Sequence, residues 1–147
     1  NASRQCASCP RGFASAYGQA ACSECEQDQY ADNPDAEATG CKLCGKGKYG
    51  KPDLDPNLRV SEATACQSCP NATYSSAEGV KNETGCNDCA PGYHAPATQM
   101  DACDQCPTGK FQLDASQPFC DTKQPCNPGT YDVSNATLPT PERCVAC

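Results

Sequence analysis

The sequence predicts a small disulfide-rich repeat fold: an extended, rod-like solenoid of about seven one-disulfide loops with short β-hairpins and little helix. Three observations predict it. Cysteine fills 16 of 147 positions, a density that marks disulfide scaffolds, and the even count permits complete pairing. Large apolar side chains are scarce, with no Ile or Trp, one Met, five Leu, four Val and three Phe. A chain of this length ordinarily buries most of its apolar surface in one core. Without cross-links, this composition would read as disordered. Finally, Cys-x-x-Cys recurs along the whole chain, at Cys6/Cys9, Cys22/Cys25, Cys41/Cys44, Cys66/Cys69, Cys86/Cys89, Cys103/Cys106 and Cys144/Cys147. A longer spacer separates Cys120 from Cys126.

Each repeat element has a physical reading. An aromatic residue follows the second cysteine of each non-terminal pair by four or five residues: Phe13, Tyr30, Tyr49, Tyr74, Tyr93, Phe111 and Tyr131. Glycine stands just ahead of it at Gly12, Gly47, Gly92, Gly109 and Gly129, where it permits positive φ or close backbone approach. Pro10, Pro70 and Pro107 directly follow a cysteine and stiffen entry to the turn. The aromatic is the large apolar group of its unit, so it is expected to cover the neighbouring disulfide and supply the unit's core. Short strands are expected over 48–50, 73–75, 110–113 and 130–133.

Sequence alone does not fix the pairing of 16 cysteines. A sequential ladder is favoured, in which the second cysteine of each pair bonds the first of the next. It gives Cys9–Cys22, Cys25–Cys41, Cys44–Cys66, Cys69–Cys86, Cys89–Cys103, Cys106–Cys120 and Cys126–Cys144. Each loop then encloses one turn and one aromatic, and the long Cys120–Cys126 spacer falls harmlessly between loops. A loop of about 15 residues closed this way is worth roughly 3 kcal/mol in the chain-entropy view. The single array then spans 1–147, with approximate units 6–22, 25–41, 44–66, 69–86, 89–103, 106–120 and 126–144. Cys6 and Cys147 are left over. They are expected to form intermolecular disulfides or to belong to a longer array. The alternatives are bonds within Cys6–Cys9 and Cys144–Cys147, which are strained, or a different register.

Charge and sequons set the surroundings. The net charge is −7 and the pI about 4.5, which disfavours nucleic acid and anionic membranes. No apolar run approaches the roughly 20 residues of a membrane span, so no membrane insertion by this segment is expected. Dense cysteine implies an oxidising, extracellular or cell-surface setting. Asn1, Asn71, Asn82 and Asn135 each begin an N-x-[ST] acceptor, where composition alone would give about one. N-linked glycans are therefore expected.

Catalysis finds no footing. Two neighbouring Cys-x-x-Cys pairs are a zinc signature in cytosolic chains, but the sequons and the intervening Gly-aromatic turns favour disulfide loops, so no metal is assigned. Thioredoxin-type redox chemistry needs apolar βαβ strands that are lacking. His94, the single histidine, reads as a solvent-facing loop residue, and no hydrolase signature is present. Acidic stretches at Asp53-Leu54-Asp55 and from Asp28 to Glu37 lack EF-hand spacing and give calcium no support. The longest loop, between Cys44 and Cys66, carries Leu54, Leu58 and Arg59 and is a candidate contact surface.

The Cys-Pro-x-Gly-x-aromatic segment, clearest at Cys106-Pro107-Thr108-Gly109-Lys110-Phe111 and varied at Cys126-Asn127-Pro128-Gly129-Thr130-Tyr131, resembles extracellular cysteine-rich repeats of the ephrin-receptor type. It is also similar to loops of tumour-necrosis-factor-receptor modules and EGF-like domains. Cys69 to Tyr74 replaces the Gly with Ala72, and Cys25 to Tyr30 lacks both Pro and Gly. One disulfide per unit looks more like long structural arrays than like a six-cysteine receptor module. The sequence therefore points to a non-enzymatic, cofactor-free structural glycoprotein: part of a surface stalk, coat or filament that associates with itself or with further repeats. A ligand-binding receptor ectodomain is the alternative.

Overall fold

Each unit turns as soon as it opens. In a computed structural model of the chain, describing residues 9–15, 21–32, 40–123, 126–132 and 144–146, the fourth residue after each opening cysteine donates its N–H to the carbonyl of the first. The pairs are Phe13 to Pro10, Gln29 to Glu26, Lys48 to Gly45, Thr73 to Pro70, Tyr93 to Ala90, Lys110 to Pro107 and Thr130 to Asn127. The third residue takes φ between 72° and 86° at Gly12, Gly47, Gly92, Gly109 and Gly129, the type II turn that asks for glycine. Ala72 holds the same conformation at φ 72°. Asp28, in the unit with neither Pro nor Gly, makes the turn hydrogen bond outside the left-handed region.

The chain then returns through the residues of the next Cys-x-x-Cys. Seven two-stranded antiparallel hairpins result: Phe13–Ala14 with Ser23–Glu24, Gln29–Tyr30 with Lys42–Leu43, Lys48–Gly50 with Cys66–Ser68, Thr73–Tyr74 with Asn87–Asp88, Tyr93–His94 with Asp104–Gln105, Lys110–Phe111 with Asp121–Thr122, and Thr130–Asp132 with Cys144–Ala146. The cysteine opening the following unit closes the hairpin by donating to the turn's third residue, as Cys25 to Gly12, Cys44 to Asp28, Cys69 to Gly47, Cys89 to Ala72 and Cys106 to Gly92. In the sixth unit Lys123 stands in this place and donates to Gly109. The hairpin thus closes before the longer spacer ends.

Seven disulfides join Cys9–Cys22, Cys25–Cys41, Cys44–Cys66, Cys69–Cys86, Cys89–Cys103, Cys106–Cys120 and Cys126–Cys144, with Cα–Cα separations of 5.6 to 5.8 Å. Since Cys9 and Cys144 are engaged, neither bonds within its own Cys-x-x-Cys. Cys6 and Cys147 lie outside the described residues. The strand expected over 48–50 is found as Lys48–Gly50, those over 73–75 and 110–113 shorten to Thr73–Tyr74 and Lys110–Phe111, and that over 130–133 is described as Thr130–Asp132, with 133 outside the described residues. Among the described residues, helix is limited to Glu62–Ala65 and two 3-10 turns, Pro56–Leu58 and Glu83–Gly85.

The core corrects one expectation. Of the seven repeat aromatics only Tyr49 is buried. Phe13, Tyr30, Tyr74 and Phe111 are half-buried, while Tyr93 and Tyr131 are 41% and 53% exposed. Two-residue strands make no layer wide enough to cover a ring. Apart from Tyr49, Asp28, Arg59 and Gln112, what is buried is small: Cys25, Cys44, Cys66, Cys69, Cys89 and Cys120, with Ala14, Ala31, Ala65, Ala72, Ser75 and Ala95. The sixth residue after the opening cysteine is buried at Ala31, Gly50, Ser75, Ala95 and Gln112, because there the backbone meets the next unit.

Register sets how each aromatic pairs, although Phe13, shifted like the exposed Tyr93, is half-buried as the unshifted Tyr30, Tyr74 and Phe111 are. In five units the ring sits five residues after the opening cysteine and pairs with the first residue of the return, as in Tyr30 with Lys42 and Tyr74 with Asn87. Phe13 and Tyr93 come one residue earlier and pair with Glu24 and Gln105, the second residue of the return. A one-residue shift sends a strand side chain to the opposite face. Tyr131 belongs to the last hairpin and has no following unit among the described residues to lie against.

Candidate functional site: the joints between units

What the repeat builds is a joint, made from backbone. Between the third and fourth units Gly47 N–H donates to the Ser75 carbonyl, Gly50 N–H to the Val80 carbonyl, and Gly79 N–H back to the Cys44 carbonyl. Between the fourth and fifth, the same positions supply Ala72 to Ala95, Ser75 to Met100 and Gln99 to Cys69. Between the fifth and sixth they supply Gly92 to Gln112, Ala95 to Gln117 and Ser116 to Cys89. The returning donors Gly79, Gln99 and Ser116 all adopt positive φ, from 59° to 67°. Three hydrogen bonds per joint, repeated in register, fix both the separation and the rotation of successive units.

Contacts reach beyond nearest neighbours. Gly12 faces Pro56 and Gly47 faces Gln99, each two units on, and a Cβ on Gly47 would lie 2.6 Å from the carbonyl carbon of Gln99. Lys81 of the fourth unit pairs with Glu26 of the second at 2.7 Å. The pairing lowers the Glu26 pKa and raises that of Lys81, chiefly through their hydrogen bond. Both side chains are well exposed, so the pair adds little stability.

The second joint is built differently. Ala31 N–H donates to the Arg59 carbonyl, as the pattern requires. The turn at Asp28 lacks positive φ, and the Gln27 side-chain amide reaches the Gly50 carbonyl at 3.3 Å in place of a backbone donor. The buried Arg59 guanidinium donates to the carbonyls of Glu26 (3.0 Å), Gln27 (2.6 Å) and Leu54 (3.0 Å). Leu54 packs with Tyr30 against the Cys44, Ala65 and Cys66 cluster. The long insert is therefore a brace for a turn without glycine, and the expectation of a contact surface is corrected for Leu54 and Arg59. Only Leu58, 55% exposed, faces outward. The sequence signal for this was available: one unit lacks both turn proline and turn glycine, and the next carries extra length with an arginine.

Glu62 fastens the same unit. It opens the helix Glu62–Ala65, which Ser61 and Thr64 cap reciprocally. Its carboxylate accepts from Lys48 Nζ at 2.8 Å and from Gly45 N–H at 3.0 Å. These bonds hold its pKa below the ordinary value, the Lys48 bond contributing most. Burial pushes the Tyr49 hydroxyl pKa up, aided by Glu83.

Other candidate residues find defined places. Asn71 and Asn82 are exposed. Asn82 makes no cap hydrogen bond to its helical turn and accepts from Thr84 through Oδ1, which leaves the amide nitrogen to a glycan. Asn1 and Asn135 lie outside the described residues. Asp55 is committed to the turn Pro56–Leu58, accepting from Asn57 N–H and Nδ2, each at 2.8 Å. His94 is a half-buried strand residue, not the solvent-facing loop residue expected.

Among the described residues no helix is long and apolar enough to cross a membrane. No protein-family model matches the chain, and no curated protein matches it significantly. Seven disulfides in serial hairpins establish a cysteine-rich repeat array suited to an oxidising, extracellular or secreted environment.

Proposed function

We propose that this chain is a non-enzymatic structural glycoprotein of the cell surface, a stiff segment of a stalk, coat or filament. The observation that carries this reading is the repetition of the same three backbone hydrogen bonds at successive joints. A chain selected for one binding site needs one well-formed surface. Here the regular feature is the join itself. The resemblance to ephrin-receptor-type and EGF-like repeats supports an extracellular setting, with glycans on Asn71 and Asn82 and association with itself or with further repeats through Cys6 and Cys147. No cofactor is assigned, and the acidic loops give calcium no more than a solvated surface.

Small-angle scattering of the glycosylated chain, with non-reducing electrophoresis, tests the proposal. An elongated particle of uniform cross-section that forms thiol-sensitive multimers is expected. A compact particle that stays monomeric at high concentration overturns it. Of the insert side chains Leu54, Leu58 and Arg59, the receptor reading keeps Leu58, which is exposed, and a Leu58→Asp variant that loses capture of a protein ligand would restore it.

A further inference from the structure

In two units the fifth position after the opening cysteine lies over the next unit's bridge. In the second unit it is Tyr30, packed on the cluster containing Cys44 and Cys66. In the fifth unit the aromatic arrives one residue early, as Tyr93, and the fifth position falls to His94. A ring nitrogen of His94 and the Sγ atoms of Cys106 and Cys120, the sixth unit's bridge, all lie within 4.8 Å of one another. Where another unit sets an inert ring, this one sets an imidazole.

The histidine is also oriented. Its Nδ1 lies 3.1 Å from the carbonyl oxygen of Asp104, its cross-strand partner. A carbonyl only accepts, so Nδ1 carries the proton and Nε2 keeps a lone pair. A backbone carbonyl holding the far side of the ring is the support that metal-bound histidines have. The chain's single histidine leaves every other bridge without a nitrogen ligand. Cys106 is half-buried and Cys120 buried, like the bridges Cys25–Cys41, Cys69–Cys86 and Cys89–Cys103 and less open than Cys9–Cys22 and Cys126–Cys144, so a preference for opening this bridge has to come from the ion that its products bind.

We propose that His94, Cys106 and Cys120 form a latent site for a zinc-class divalent ion, closed while the Cys106–Cys120 disulfide is intact and opened by a dithiol. One thiolate of the dithiol attacks a bridge sulfur. Its second thiol then displaces the mixed disulfide. Two electrons pass to the bridge and the dithiol leaves as its cyclic disulfide. Both cysteines bind the ion as thiolates while two protons are released. Tetrahedral zinc with Zn–S bonds of about 2.3 Å needs sulfurs roughly 3.8 Å apart. Side-chain rotation from Cα atoms 5.8 Å apart reaches that separation. Nε2 supplies the third ligand and water the fourth.

The test treats the full-length chain with limiting dithiol, with and without zinc, then alkylates free thiols and maps them by mass spectrometry. Cobalt(II) serves as the spectroscopic probe. Metal should increase the fraction of Cys106 and Cys120 freed and leave the other bridges unchanged, and one cobalt per chain should bind with a thiolate-to-cobalt charge-transfer band. His94→Ala should weaken cobalt binding at least tenfold. His94→Gln keeps bulk over the bridge and should weaken it equally, which separates a lost ligand from lost packing. If metal leaves the opening of Cys106–Cys120 unchanged, or if both variants bind cobalt like the parent, the site does not exist.

Discussion

Single residues at the turn carry different loads although they share a conformation. Gly47 and Gly109 both sit at positive φ, 72° and 83°. A Cβ on Gly47 would collide with the Gln99 backbone, whereas one on Gly109 meets nothing within 4 Å. Gly109→Ala should therefore cost only the left-handed strain, about 1–2 kcal/mol. Gly47→Ala should cost more and should speed hydrogen exchange at Ser75 and Gln99 across the joint. Equal effects of the two on local exchange would show that the close approach at Gly47 is not what holds the joint. Arg59 presents the opposite case, a side chain acting for a backbone. Arg59→Met keeps the bulk but removes the guanidinium from the carbonyls of Gln27 and Leu54 and leaves that of Glu26 with only its turn bond from Gln29. Roughly 2–4 kcal/mol of local stability should be lost, read as faster exchange at Ala31, whose amide bonds the Arg59 carbonyl.

At the scale of elements, titratable groups tie the pieces of the third unit together. Glu62 has its folded pKa below 4.5 because the charged form is hydrogen-bonded by Lys48 and Gly45. Its contribution is present above the unfolded value and is lost as pH falls through the folded one. Acid should therefore loosen the helix Glu62–Ala65 before the other hairpins, and Glu62→Gln should remove this pH dependence. Exchange at Gly45 and Ala65 as a function of pH reads both. Tyr49 behaves in the reverse sense. Its folded pKa is raised above 10.0 by burial and by Glu83, so the stability it lends is full below the unfolded value and is lost as pH rises through the folded one. In an alkaline spectrophotometric titration, a late-ionising tyrosine should vanish in Tyr49→Phe.

At the scale of the whole molecule, the cysteine spacing and the Gly-aromatic turn made the serial one-disulfide hairpins legible, since both are local patterns. The packing was not, because it depends on register. Nothing local distinguishes Tyr93 from Tyr49 until the one-residue shift is set against the return strand. His94 looks like a surface residue until that shift places it over the Cys106–Cys120 bridge. The buried sixth position, Ala31, Ser75 or Ala95, is small and unremarked in sequence, and its role appears only when the next unit docks. The same reasoning separates bridges that loop length cannot. Cys44–Cys66 and Cys9–Cys22 enclose sequence separations of 22 and 13, for which chain entropy gives about 3.4 and 2.9 kcal/mol. Loop closure alone predicts nearly equal effects of removal. Cys44 and Cys66, however, also form the cluster against which Tyr30 of the second unit and Leu54 of the insert pack, and the Cys44 carbonyl accepts from Gly79 of the fourth. Replacing both with Ala should raise hydrogen exchange in the second, third and fourth units together, while the corresponding change at Cys9 and Cys22 should stay within the first unit and its joint at Ala31. If both variants open the same number of units, bridges act only as loop closures. If the first opens three, the bridges are also the core through which one unit stabilises the next.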